Sequence, residues 1–132
     1  MLLDTSGLLC CHHAGEPQNA EAVQFFNAAS VRITHSYVLA EFVPLCHTRG
    51  LSRMPALEFL GDLVDNPLVE VVWVDEELHE AGLLLLFSRL DKSYSLCDAV
   101  SFVLMRELKI AAALTTDRHF VEAGFETLLP TA

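Results

Sequence analysis

The chain has 132 residues, 52% of them hydrophobic, and its formal net charge is −10. This length suits one domain with a real core, and the hydrophobic fraction argues against disorder. The acidic charge argues against a general nucleic-acid binder, so any contact with RNA must be local. Because no apolar run is long enough to cross a bilayer and no basic leader precedes the first acid, we expect a cytoplasmic protein with one domain over residues 1–132.

Short β-like runs alternate with helix-like segments along the chain, a pattern typical of a parallel α/β sheet. The predicted strands cover residues 1–3, 31–34, 69–74, 111–114 and 126–128. The first predicted helix follows Asp4 and ends before Gly15, and the later helices cover residues 18–29, 36–47, 54–64, 76–90, 96–108 and 119–122. Trp73 lies in an apolar run, so we expect it in the core. The connections before residue 110 are too long for hairpins, which predicts parallel pairing.

Four carboxylates stand where such a sheet would bring its strand ends together. Asp4 and Asp117 each follow a short apolar run, while Glu41 and Asp98 lie near the starts of apolar-periodic helices. The carboxyl ends of parallel strands line the ligand crevice of an α/β sheet, so the four side chains should converge. Carboxylates packed together repel one another, and divalent cations relieve that repulsion.

Each of these acids also has a structural explanation when taken alone. Asp4 and Asp117 could be helix N-caps, and Ser95 with Asp98 fits a capping box. Glu41 could be a solvated residue on a helix surface, as most helix glutamates are. Only the ordered set of four favours a site. Hard oxygen ligands favour Mg²⁺ or Mn²⁺, which can acidify a bound water and stabilise a leaving oxygen.

The segments around these acids resemble the four acidic motifs of PIN-domain ribonucleases. They are Leu3-Asp4-Thr5-Ser6, Leu39-Ala40-Glu41, Cys97-Asp98-Ala99 and Leu114-Thr115-Thr116-Asp117, and they occur in the family order. The resemblance covers essentially the whole chain. It implies a three-layer α/β/α PIN-like domain whose five-stranded parallel sheet has the order 3-2-1-4-5. It also implies metal-dependent cleavage of RNA.

By matching position, the resemblance implies that Asp4, Glu41, Asp98 and Asp117 are the catalytic metal ligands for Mg²⁺ or Mn²⁺. Ser6 and Thr115 would support them. A chain of this size is most similar to the VapC toxins of toxin–antitoxin pairs. That likeness implies a homodimer inhibited by a small antitoxin protein, and the apolar stretch 83–87 is a candidate for contact with a second subunit.

Two further residues near the motifs are weaker candidates. Asp91 is the extra acid expected nearest to the cluster, although it could equally be a solvated loop residue. His119 follows Asp117 closely and could touch a phosphate, but a positioned histidine needs a partner that the sequence does not name.

Three other functions are weighed against the nuclease. A haloacid-dehalogenase-type phosphatase needs a second acid two residues after the first, where this chain has Ser6. A receiver-like signalling domain needs an acid pair and a lysine after a late strand, whereas Lys109 precedes that strand. A catalytically silent PIN scaffold for protein or RNA binding stays open as the alternative, and the retention of all four acids argues against it.

Overall fold

A computed structural model describes residues 1–131. The strands are β1 (Leu2–Leu3), β2 (Ile33–His35), β3 (Glu70–Val72), β4 (Ala112–Leu114) and β5 (Glu126–Thr127). The helices are α1 (Thr5–His12), α2 (Asn19–Ala28), α3 (Ser36–Thr48), α4 (Arg53–Asp65), α5 (Glu76–Ser88), α6 (Leu96–Leu108) and α7 (His119–Glu122). These elements confirm the predicted alternation, and no boundary differs from its predicted position by more than two residues.

The strands form one five-stranded sheet with the order β3-β2-β1-β4-β5, and all four pairings are parallel. The predicted α/β fold and strand order are therefore confirmed. The central strand β1 pairs with β2 through Leu2 and Ile33, and with β4 through Leu2 and Ala113. Its carboxyl end, together with that of β4, forms the middle of one edge of the sheet.

Alternating residues of the central strands are buried in two separate hydrophobic cores, one on each face of the sheet. Leu3 and Leu114 are buried with residues of α1 to α4 on one face, whereas Leu2 and Ala113 are buried with residues of α5 to α7 on the other. Successive side chains of a strand point to opposite faces, so two buried neighbours on one strand require a layer of helices on each side. The result is the three-layer α/β/α arrangement.

Gly7 lets helix α1 lie directly against strand β4. A Cβ atom at this position would be 1.9 Å from the carbonyl oxygen of Leu114, closer than any real contact. Only glycine permits this approach of a helix to a strand backbone. Because Asp4 and Ser6 flank the start of α1, the same approach brings them next to the residues that follow β4.

Trp73 is a case where the sequence prediction is wrong. It lies one residue beyond β3, and 66% of its surface is exposed. Strand β3 is at the edge of the sheet, so its apolar run is covered less than that of a central strand.

Within residues 1–131, no helix combines the length and apolar character that crossing a membrane requires.

Candidate metal centre

The predicted site residues meet in one open cavity at the carboxyl edge of the sheet, which we call the acid cavity. Its volume is about 580 Å³. The acid cavity is lined by Asp4, Thr5, Ser6, Ala40, Glu41, Pro44, Leu45, Thr48, Ser93, Ser95, Asp98, Asp117 and His119. All four predicted acids are therefore in its wall, contributed by the segments after β1, within α3, at the start of α6 and after β4.

Asp4 is buried and bound to the segment that follows β4. Its Oδ2 accepts hydrogen bonds from Thr115 Oγ1 at 2.7 Å and from Ser6 Oγ at 3.3 Å. Asp4 holds the N-cap position of α1, but its side chain makes no capping bond to the described residues. Burial raises the pKa of Asp4 to about 7, with smaller contributions from Asp98 and Asp117, and the bond from Thr115 opposes that rise.

Asp98 is both a helix cap and a member of the acid cavity. Its Oδ2 accepts the backbone N–H of Ser95 at 3.0 Å, and Ser95 Oγ accepts the backbone N–H of Asp98, so the capping box is present. The same Oδ2 lies 3.2 Å from His119 Nδ1. Burial raises the pKa of Asp98, and so does the charge of Asp117, while the partners Ser95 and His119 lower it. Asp98 therefore caps α6 and also lines the acid cavity, so the two interpretations of this residue do not exclude each other.

Asp117 is positioned by hydroxyl groups beneath the cavity. Its backbone N–H donates to Thr115 Oγ1 at 3.0 Å, and its own Oδ1 accepts the backbone N–H of His119 at 2.9 Å. Ser6 Oγ lies 3.1 Å from Thr115 Oγ1 and accepts the backbone N–H of Thr116 at 3.0 Å. These contacts connect the start of α1 to the loop after β4 and hold Asp4 and Asp117 in a fixed relation.

Glu41 is the acid least constrained by its neighbours. It is exposed on α3, and its one described side-chain bond is a long one of 3.4 Å from Thr5 Oγ1. Burial raises the pKa of the nearby Cys97 thiol, and the charges of Glu41 and Asp4 raise it further. The side chain of Glu41 can therefore reach the cavity while its helix surface stays in solvent.

His119 lies in the wall of the acid cavity, although no partner for it could be predicted from the sequence. Its Nδ1 lies 3.2 Å from Asp98 Oδ2 and 3.4 Å from Asp117 Oδ1, while its Nε2 lies 3.2 Å from Ser93 Oγ. The ring also packs edge-on against Tyr94. Asp98 precedes it by 21 residues, so no local pattern could have paired them.

Three side chains could hold a metal ion as the structure stands. One ligand atom each from Asp98, Asp117 and His119 lies within 4.8 Å of the other two. Asp4 and Glu41 line the same cavity but stand outside this close group. The compact set thus has two carboxylate oxygens and one imidazole nitrogen, where the sequence predicted oxygen ligands only.

The charge of the cavity fits a cation. Among residues 1–131, the cavity wall holds four carboxylates and no lysine or arginine. Buried carboxylates with raised pKa values bind protons where a cation is missing, and a divalent ion would replace those protons. The donor set suits Mg²⁺ or, because of the imidazole, Mn²⁺.

Asp91, the extra acid expected near the cluster, is engaged elsewhere. Its carboxylate accepts two hydrogen bonds of 3.1 Å from the guanidinium of Arg89, and it is not in the wall of the acid cavity. Asp91 therefore forms a local ion pair with a residue two positions away in an exposed loop, and this pairing accounts for the acid without a role in the site.

Comparison with known protein families matches the PIN domain over residues 1–126. The chain therefore belongs to the PIN-domain family, as the four acidic motifs predicted. Among solved structures it is similar to VapC20 of Mycobacterium tuberculosis, described as a toxin that cleaves the sarcin–ricin loop. The two chains share 27% identity with a TM-score of 0.84, and the match covers 94% of this chain and 95% of VapC20. No curated protein matches the chain.

Proposed function

We propose that this chain is a metal-dependent endoribonuclease and the toxin of a toxin–antitoxin pair. The observation that carries the proposal is the acid cavity itself, in which four carboxylates of a PIN domain share one open space. The likeness to a VapC toxin over almost the whole chain supports RNA as the substrate class. Because VapC20 is described as cleaving the sarcin–ricin loop, an RNA hairpin with that sequence is the first substrate to test.

The proposed reaction is hydrolysis of one phosphodiester bond. A water oxygen adds to phosphorus, one P–O ester bond breaks, and the products are a phosphate monoester and a hydroxyl. A bound Mg²⁺ or Mn²⁺ would supply charge stabilisation for the phosphate and a more acidic water. Asp98, Asp117 and His119 would hold the ion first, and Asp4 and Glu41 would complete the site.

The chain's own side chains would carry out the proton transfer and hold the reacting groups in position. Asp4 would stay ionised once a cation offsets its burial, and it could then accept a proton from the attacking water. Thr115 and Ser6 would fix its carboxylate in one orientation. The described cavity wall holds no lysine or arginine, so a bound cation would supply positive charge for attracting the scissile phosphate.

The resemblance also leads us to propose a homodimer and a small protein partner. Exposed apolar residues on α5 supply a surface for the second copy, namely Leu83, Leu84 and Phe87. An antitoxin would have to cover the acid cavity to inhibit it, and a basic segment would suit the charge there. We expect the gene for such a partner next to this one, and its product should suppress cleavage when the two are mixed.

The test is cleavage of the hairpin by purified protein with Mn²⁺, with Mg²⁺ and with a chelator. Asp98→Asn should abolish cleavage, since Asn can still accept the bond from Ser95 but lacks the charge that binds metal. Asp75→Asn is the matched control, because Asp75 caps α5 through a 2.8 Å bond to Leu78 and lies outside the cavity.

One outcome would count against the proposed role of Asp98, and another would count against the nuclease itself. Cleavage that persists in Asp98→Asn at the wild-type rate would assign Asp98 to capping alone. The lack of any metal-dependent cleavage of the hairpin and of total RNA would favour a PIN scaffold used for binding only.

A further inference from the structure

A second cavity opens beside the acid cavity, and we call it the side cavity. It has a volume of about 270 Å³, and its wall includes Ser6, Glu16, Pro17, Gln18, Arg49 and Thr116. It lies between the start of α1, the loop before α2, the end of α3 and the segment after β4. The proposed hydrolysis uses none of its residues except Ser6.

The side cavity adjoins the acid cavity on three separate segments of the chain. Ser6 lines both cavities. Thr48 lines the acid cavity while its neighbour Arg49 lines the side cavity, and Asp117 and Thr116 are divided in the same way. Neighbouring Cα atoms are about 3.8 Å apart, so the two cavities lie side by side. A polynucleotide bound at the acid cavity could therefore extend over the side cavity.

The side cavity differs from the acid cavity in charge. It contains one carboxylate, Glu16, and that group is paired with Arg49 at 3.0 Å. Arg49 is the one arginine or lysine found in the walls of these two cavities within residues 1–131. A nucleotide here would avoid the repulsion that surrounds the four acids. About half of the Arg49 side chain is exposed, and a guanidinium can pair with a phosphate.

We propose that the side cavity binds the base of the nucleotide next to the cleaved bond. The Gln18 amide and the Thr116 hydroxyl can form hydrogen bonds to the edge of a base, and Pro17 offers an apolar surface for its face. Arg49, held by Glu16, would contact the adjoining phosphate. This inference rests on the proposed function and adds to it the residues that select the sequence at the cleavage site.

The first test measures binding without cleavage. Uniformly ¹⁵N-labelled protein with Mg²⁺ is titrated with AMP, GMP, CMP and UMP, which are monoesters and lack the phosphodiester bond that the proposed reaction hydrolyses. We expect at least one nucleotide to shift the backbone amide signals of Gln18 and Thr116. In Arg49→Gln the apparent Kd should rise about tenfold, as expected for the loss of a charged hydrogen bond, whereas Lys109→Gln should leave it unchanged.

Lys109 is the matched control because it ends α6 at the opposite edge of the sheet and carries the same charge. Shifts confined to amides of the acid cavity would overturn the side cavity as a base site and leave the nuclease intact. The lack of any shift at Gln18 and Thr116 with all four nucleotides would overturn it as well.

The second test applies once cleavage is observed. Hairpin RNAs that differ only in the bases flanking the cut are compared by kcat/KM. Gln18→Ala and Thr116→Val should each reduce the preference among bases at one flanking position by several-fold, whereas Lys109→Gln should leave that preference unchanged. An identical preference in wild type and both variants would contradict base selection by this cavity, whatever the result for metal dependence.

Discussion

Thr115 and Asp4 join the ends of the two adjacent central strands. Thr115 Oγ1 donates a hydrogen bond of 2.7 Å to Asp4 Oδ2, and both side chains are buried. The same hydroxyl accepts the backbone N–H of Asp117. One side chain thus positions two of the four acids and stabilises the ionised form of Asp4 against its own burial.

Replacing the Thr115 hydroxyl should weaken metal binding and lower the free energy of unfolding. In Thr115→Val, the Asp4 carboxylate would lose its closest donor, so its pKa would rise further and the group would give up its proton to a metal less readily. We expect a loss of about 1–3 kcal/mol in the free energy of unfolding and a weaker Mn²⁺ affinity, measured by urea denaturation and calorimetry.

Thr34→Val is the matched control for this prediction. Thr34 is equally buried, and its hydroxyl donates a 3.0 Å bond to the carbonyl of Leu3, away from the acids. It should lose stability but keep its Mn²⁺ affinity. Equal affinities in the Thr115 and Thr34 variants would show that Thr115 has no role in the site.

The position of His119 beside two carboxylates predicts that a His119 variant will affect cleavage with Mn²⁺ and cleavage with Mg²⁺ to different extents. An imidazole beside carboxylates binds Mn²⁺ more readily than Mg²⁺, which prefers oxygen ligands. We therefore expect His119→Gln to reduce cleavage with Mn²⁺ more than cleavage with Mg²⁺, by about tenfold in the ratio of the two rates. A similar loss with both metals would instead indicate that His119 acts by orienting Asp98 and Asp117.

The close contact of Gly7 with Leu114 predicts a severe effect of one methyl group. Gly7→Ala would place a Cβ atom 1.9 Å from the Leu114 carbonyl oxygen, so α1 must move away from the sheet. We expect a loss of more than about 3 kcal/mol, measured by chemical denaturation. Gly61→Ala is the control, because Gly61 lies inside α4, and a Cβ added there would meet no described atom within 4 Å apart from its chain neighbours and the nearby backbone of its own helix. It should gain about 0.5–1 kcal/mol.

Sequence reasoning could predict the sheet and the convergence of the acids. Both depend on local signals: apolar runs of strand length, helix periods, and polar residues at strand ends. It could not place His119, because the orientation of that ring depends on Ser93, Tyr94 and Asp98 in another part of the chain. It was also wrong about Trp73, because an apolar run alone does not establish burial, and Trp73 lies one residue beyond the end of the edge strand β3.

His35 predicts a loss of stability in mild acid. It is fully buried in β2 with Nε2 at 2.8 Å from Ser101 Oγ, and Nδ1 has no hydrogen-bond partner in the described chain. Burial lowers the pKa of His35 from 6.5 to about 4. Between these values the unfolded chain binds a proton and the folded chain does not. The protonation of His35 therefore does not affect the free energy of unfolding above about pH 6.5. Below that pH it lowers the free energy of unfolding, by about 3 kcal/mol at pH 4.

The measurement compares wild type with His35→Gln by urea denaturation from pH 4 to 7, in chelator. Asp4 acts in the opposite sense, since its raised pKa of about 7 means that the folded chain binds the extra proton and loses stability as the pH rises. That contribution is common to both proteins and cancels in the difference. The difference in unfolding free energy should shrink, or reverse in favour of the variant, toward pH 4. A difference that does not change with pH would contradict a neutral, buried His35.

The last prediction concerns the proposed homodimer. On α5, 69% of Leu84 and 68% of Phe87 are exposed. Large apolar side chains exposed together on one helix often mark an interaction site. If a second copy covers them, Phe87→Glu should place a charge in the interface and yield a monomer by light scattering. Met54→Glu is the control, since Met54 is 64% exposed on α4 and should leave the dimer intact. A wild-type chain that is monomeric throughout the micromolar range would remove the basis for the dimer, and a Phe87→Glu variant that stays dimeric would move the interface to another face.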